Sequence, residues 1–125
     1  MLENNHEKKP KKYAGILAHP TSFPSPYGIG DLGKGAYRFI DFLANSGLNL
    51  WQVLPLGHTG FGDSPYQPFS AFAGQPLIID LDALKEYKLL SEDDFTDMPE
   101  WDPVHIDYGT LITFKTKLLK LAYER

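Results

Sequence analysis

The 125-residue sequence contains no cysteine, which removes disulfides, a thiolate nucleophile and every Cys-based zinc or iron–sulfur site. It also has no apolar run near the roughly 18 residues that a membrane helix needs. Its opening, MLENNHEKKPKK, has no hydrophobic stretch behind its positive charges, so neither a signal peptide nor an anchor is expected there. An excess of basic charge is missing as well: the formal net charge is −4 and the pI about 5.5. Nucleic acid is therefore not an expected partner, because phosphate binders normally present a basic surface. Three of the four histidines, His19, His58 and His105, stand too far apart for a local metal motif, and no metal is expected. These absences fit a cytoplasmic protein that does not touch a membrane.

With 42% hydrophobic and 14% aromatic residues, the chain can bury one core and is too short for two ordinary domains. Residues 1–12 hold four lysines and almost nothing apolar. They are expected to be a disordered basic tail, with the domain beginning near Tyr13. Charge is segregated further on. The acids fall mainly within residues 80–109, and the bases Lys115, Lys117, Lys120 and Arg125 follow, which reads as a solvated acidic connection leading to a basic-faced helix.

The pattern between these ends is α/β. Residues 15–18 (GILA) predict a short buried strand. Ala36, Phe39, Ile40 and Leu43 fall at helical spacing, and this predicts a helix over 33–46 with Asp31 or a neighbour as its cap and Gly47 just past its end. Residues 48–54 (LNLWQVL) predict a second strand that stops at Pro55, parallel to the first through a right-handed crossover. A further strand is expected at 77–80 and a short helix at 81–87. Leu111, Phe114, Leu118 and Leu121 mark a last helix.

Two Pro- and Gly-rich loops follow the predicted strands, at 19–31 and 55–76. In a parallel sheet both lie at the carboxyl ends of strands, where ligands bind. The first contains GIGDLG (28–33), a literal G-x-G-x-x-G. It begins too far from the strand, and carries an aspartate too close to any phosphate, to serve as a dinucleotide site; its glycines read better as close-packing turn residues. The second gathers Phe61, Tyr66, Phe69 and Phe72 with Asp63, Ser64, Gln67 and Ser70. Aromatic faces beside directional polar groups suit sugars, with Tyr66 the best platform. The same rings also suit anchoring the loop into the core, a role that fits Phe69 and Phe72 better. Asp31 and Asp63 are the only acids in these loops, and both read as turn or cap residues, so no catalytic carboxylate is assigned. His19, ending a strand, and His58, in the long loop, are each placed to hydrogen-bond a substrate. Ser64 has no histidine partner in the pattern.

GILAHPTSFPSPYGIGDLG (15–33) and LWQVLPLGHTGFGDSPYQPFSAFAGQPLIIDL (50–81), followed by VHIDYGTL, together resemble the N-terminal part of bacterial 4-alpha-glucanotransferases, also called amylomaltases or disproportionating enzymes. The resemblance implies an elaborated (β/α)8 TIM barrel, incomplete in this chain. It also implies transfer of α-1,4-glucan segments between maltooligosaccharides with retention, through a covalent glycosyl-enzyme, without metal or organic cofactor. Tyr66 matches the family's tyrosine that stacks beside the scissile bond and Ser64 a donor-side residue, with Asp63 and Gln67 as weaker matches. The family's catalytic Asp and Glu residues lie downstream of the matched part and map onto nothing here. The chain departs from common family residues at His58, Phe61 and Gln75. A barrel of eight strands typically takes about 250 residues, so 13–125 is expected to form only its first portion. The alternatives are a stand-alone glucan-binding module without turnover and a fragment that self-associates.

Overall fold

A computed structural model describes residues 12–59, 64, 66–70 and 72–125. The expected tail lies almost wholly outside them. Strand β1 (Gly15–Leu17) is followed by helix α1 (Lys34–Asn45), strand β2 (Leu50–Gln52), a short helix α2 (Leu81–Glu86) and the long helix α3 (Tyr108–Glu124). Single 3-10 turns occupy Pro20–Ser22, Pro76–Ile78 and Glu92–Phe95.

The strands pair in parallel, Gly15 beside Leu50, Ile16 beside Trp51 and Leu17 beside Gln52. Close approach requires glycine at position 15, because a Cβ there would lie 2.2 Å from the Leu50 carbonyl oxygen. The indole of Trp51 donates to the Ala18 carbonyl at 2.7 Å, tying the end of β1 to β2. Rings from three elements then converge: Phe23, Phe39 and Trp51 lie 5.1 to 5.7 Å apart by centroid. This cluster fastens α1 to the sheet and to the turn after β1.

Helix α1 starts one residue inside the expected boundary. Gly33 holds the cap position, and the Asp31 carboxylate accepts from the Gly33 amide at 3.0 Å, so Asp31 closes a turn just ahead of the helix. At the other end Gly47 adopts φ +69, the left-handed value that lets the chain reverse into β2.

The main core gathers on α3. Leu111, Phe114, Leu118 and Ala122 are buried along one face, against Tyr27, Leu81 and Leu90 on one side and Ile29 and Leu77 on the other. The acidic run is drawn onto this helix. Arg125 makes a two-pronged contact with Asp94 at 2.8 and 2.9 Å, and Lys117 reaches Asp97 at 3.3 Å.

Three expectations are corrected. The first strand is not buried: Leu17 is 55% exposed and Leu50 beside it 50%, because among the described residues the sheet has two strands, with α1 packed beside β2. Of the helical stripe, Ile40 faces solvent for the same reason. Residues 77–80 form no strand. Pro76 fixes φ and lacks a donor, Gln75 accepts from the Leu77 amide, and the chain coils into a 3-10 turn instead.

Candidate functional site

A cleft of about 180 Å³ opens at the carboxyl ends of both strands. His19, Thr21 and Ser22 form one wall; residues 54–57 and Thr59 form the other, and Ile29, Gln75 and Tyr108 close it. The two loops that follow the strands thus share one cavity. Its polar groups are hydroxyls, an amide and an imidazole, with no carboxylate among the described lining residues. Such a lining offers hydrogen bonds to neutral polar ligands and lacks the paired acids that glycoside cleavage needs.

The first wall is set by packing around the GIGDLG segment. A Cβ on Gly30 would stand 2.2 Å from the Pro20 carbonyl oxygen, and its amide donates to the Thr21 carbonyl at 3.1 Å. Gly28, at φ +79, lies against the Trp101 ring. The glycines therefore seat the Pro20–Ser22 turn and do not cradle a phosphate. On the far side of that turn a wider groove of about 690 Å³ runs between residues 21–30 and 98–106.

The floor is held from below by Lys115. Its ammonium is completely buried on α3 and donates to the carbonyls of Leu77 at 2.7 Å and Ile79 at 2.9 Å. Burial pulls this lysine down to about 8, with the charges of Asp31 and Asp80 opposing the shift. Burial pushes the Asp31 carboxyl up. Gln75 crosses the cleft to Thr59 at 3.4 Å, and its backbone amide donates to Leu56 at 2.8 Å.

The long loop folds back on itself through antiparallel bridges, Gly57 to Gly74 and Thr59 to Pro68. Ser64 turns its tip: its hydroxyl accepts from the Tyr66 amide at 3.4 Å and its carbonyl from Gln67 at 3.1 Å. Tyr66 is 68% exposed and Gln67 is also exposed, so the ring is free to be stacked upon. Tyr66, Ser64 and Gln67 come together at the loop tip and are not among the residues that line the cleft. Asp63 and Phe61 lie outside the described residues. Phe69 and Phe72 are corrected as core anchors: they are 80% and 98% exposed, with no layer of described residues over them. His58 is exposed beside Phe69 and His105 is exposed beside Asp102. Among the described residues no group of three His, Asp or Glu is arranged to hold a metal ion, and no helix is long and apolar enough to cross a membrane.

Sequence reasoning reached His19 and the loops but missed Thr21, Ser22, Thr59 and Tyr108 as lining residues. Single hydroxyls in turn-rich sequence carry no periodic signal. Only the alignment of loops at the strand ends pointed toward them.

A neutral polar cleft at the ends of parallel strands, flanked by an exposed aromatic loop, defines part of a parallel α/β architecture. Comparison with known proteins makes this specific. The model of the 4-alpha-glucanotransferase family matches residues 18–125, and the chain belongs to that family. It is 49% identical over 113 residues to a 4-alpha-glucanotransferase of Synechocystis, covering 90% of this chain and 22% of that protein. Against the Thermus thermophilus enzyme of the same name it is 50% identical over 109 residues, covering 87% and 21%. An amylomaltase from Streptococcus agalactiae, solved in complex with acarbose, superposes with a TM-score of 0.85 at 43% identity, over 91% of this chain and 23% of that one. The chain thus spans about a fifth of the length of these relatives.

Proposed function

We propose that the chain is the N-terminal segment of a 4-alpha-glucanotransferase that moves α-1,4-glucan segments between maltooligosaccharides with retention, in the cytoplasm. In this reading it forms the first portion of an elaborated (β/α)8 barrel. Its part is donor-side sugar binding, with Tyr66 as the stacking platform, Ser64 shaping the loop tip, and Asp63 and Gln67 as neighbouring polar contacts. The catalytic carboxylates come from the remaining four-fifths. The observation that carries the reading is the likeness, at 43% identity and TM-score 0.85, to an amylomaltase that binds acarbose.

In a full-length protein carrying this segment, Tyr66→Ala is expected to lower maltotriose disproportionation by about tenfold or more, the loss of an aromatic contact worth about 1.4 kcal/mol. Phe72→Leu is expected to change it less than twofold (~0.4 kcal/mol). Equal losses would instead mean that the loop is simply damaged.

Self-association is the second reading, favoured by the exposed Leu17, Leu50, Ile40 and Phe42 around the sheet. A monomeric elution volume that does not move between low and high protein concentration would rule it out.

A further inference from the structure

We propose that His19 is a sugar-binding residue, its Nε2–H donating to a hydroxyl or ring oxygen of a glucose unit seated in the cleft between the two strand-end loops. The inference rests on the glucan-binding reading above and adds to it a contact at the cleft, separate from the Tyr66 loop tip.

The argument starts from the tautomer. Nδ1 of His19 lies 3.4 Å from the Thr21 backbone nitrogen and 2.7 Å from its hydroxyl. A backbone N–H can only donate, so Nδ1 is the acceptor in this small cap of the Pro20–Ser22 turn. In a neutral imidazole the proton then resides on Nε2. That atom is buried and has no hydrogen-bond partner among the described residues. An unmet buried donor is costly, and proteins rarely keep one without use. Here it belongs to a residue in the wall of a cleft whose other polar groups are Thr21, Ser22, Thr59 and Gln75. Nε2 is shielded from bulk water, so passing solvent does not satisfy it.

The other buried unpartnered donor, Trp101 Nε1, belongs to a ring that lines the wider groove, away from the strand ends. The chemistry asked of the ligand at His19 is that of an uncharged acceptor. A hydroxyl also gives a proton onward to Thr59 or Gln75, which suits a sugar better than a carbonyl compound.

Two substitutions separate binding from capping. His19→Asn keeps an acceptor where Nδ1 stood and removes the donor at Nε2; His19→Gln does the reverse. The 125-residue chain is titrated with maltotriose by ¹H–¹⁵N correlation spectra, with long-range spectra of the imidazole nitrogens recorded alongside. The expected result is binding weakened about fivefold or more in His19→Asn with its melting temperature held, and affinity within about twofold of the parent in His19→Gln. In the parent, saturation shifts the Nε2–H signal and leaves Nδ1 in place. If His19→Asn binds as the parent does while Tyr66→Ala binds more weakly, the His19 contact is wrong and the loop reading stands. If the parent does not bind maltotriose, the His19 contact is wrong, and the glucan-binding reading is decided separately by Tyr66→Ala in the full-length protein. Should His19→Asn fail to fold, an Nε2 signal unmoved by saturating sugar overturns the proposal by itself.

Discussion

Replacing Lys115 with alanine is expected to destabilise the chain by about 2–5 kcal/mol, through a lost core side chain and two stranded carbonyls. The side chain is fully buried, and its amine is the hydrogen-bond donor to Leu77 and Ile79, the residues that pin the Pro76–Ile78 turn to α3. Lys115→Met keeps the volume and isolates the polar part. The charge gives this a pH signature. Lys115 is depressed to about 8 from the ordinary 10.5, so between those values the unfolded chain holds a proton that the folded chain has released. Stability therefore rises with pH across that window, and below about 8 the folded state bears the full penalty of a buried charge. A neutral amine still carries two donors for two carbonyls, so the turn remains pinned. Urea denaturation at pH 7 and pH 9.5 should show the wild-type advantage over Lys115→Met widening by about 1 kcal/mol or more. An equal advantage at both values would mean that Lys115 keeps its proton across that range in the folded chain as in the unfolded one, so that burial does not depress it. Asp31 acts in a separate range. Its pKa is raised above 3.8, so its contribution is present in acid and is lost as pH rises through the folded value.

Gly30→Ala is expected to cost about 3 kcal/mol or more, at the upper end of overpacking. The added Cβ would meet the Pro20 oxygen at 2.2 Å and the backbone N and O of Phe23 at 2.6 Å. None of these atoms can rotate aside as a side chain would, so the Pro20–Ser22 turn must move and take the His19 wall with it. Gly74→Ala is the matched control, since nothing lies within 4 Å of a Cβ there. It is expected to stay within about 0.5 kcal/mol of the parent. Urea midpoints for the two variants check this, and a Gly30 effect no larger than that of Gly74 would refute the steric account.

Helices α1 and α3 were legible because the spacings of Ala36 and Leu43, and of Leu111, Phe114 and Leu118, repeat at the helical period, and Gly47 marks the end of α1. The parallel pairing of 15–17 with 50–52 followed from the intervening helix. Apolar residues 77–79 misled, because Pro76 and the Gln75 side chain impose a turn that a hydrophobicity pattern does not register. Lys115 was invisible for a related reason. A lysine four residues after Leu111 reads as solvated, and only the carbonyls of a distant turn explain its burial. Phe69 and Phe72 look like core anchors by composition, yet their exposure depends on what lies above the loop, which no local pattern encodes. The cleft was legible as a place, through two loops at the ends of neighbouring strands, and illegible as a set of residues, since Thr21, Thr59 and Tyr108 meet only in three dimensions.

The thin sheet described above gives the cleft two walls of unequal stiffness. The His19 wall hangs from three paired residues whose outer side is open to water, whereas Gln75 and Tyr108 sit on the packed α3 core. Amide protons of 15–17 and 50–52 should accordingly exchange with solvent deuterium long before those of 111–122, each opening of the pair being local and inexpensive. In the 125-residue chain by itself the cleft then opens from the strand side, and entry of a ligand follows the strand end more than the helix.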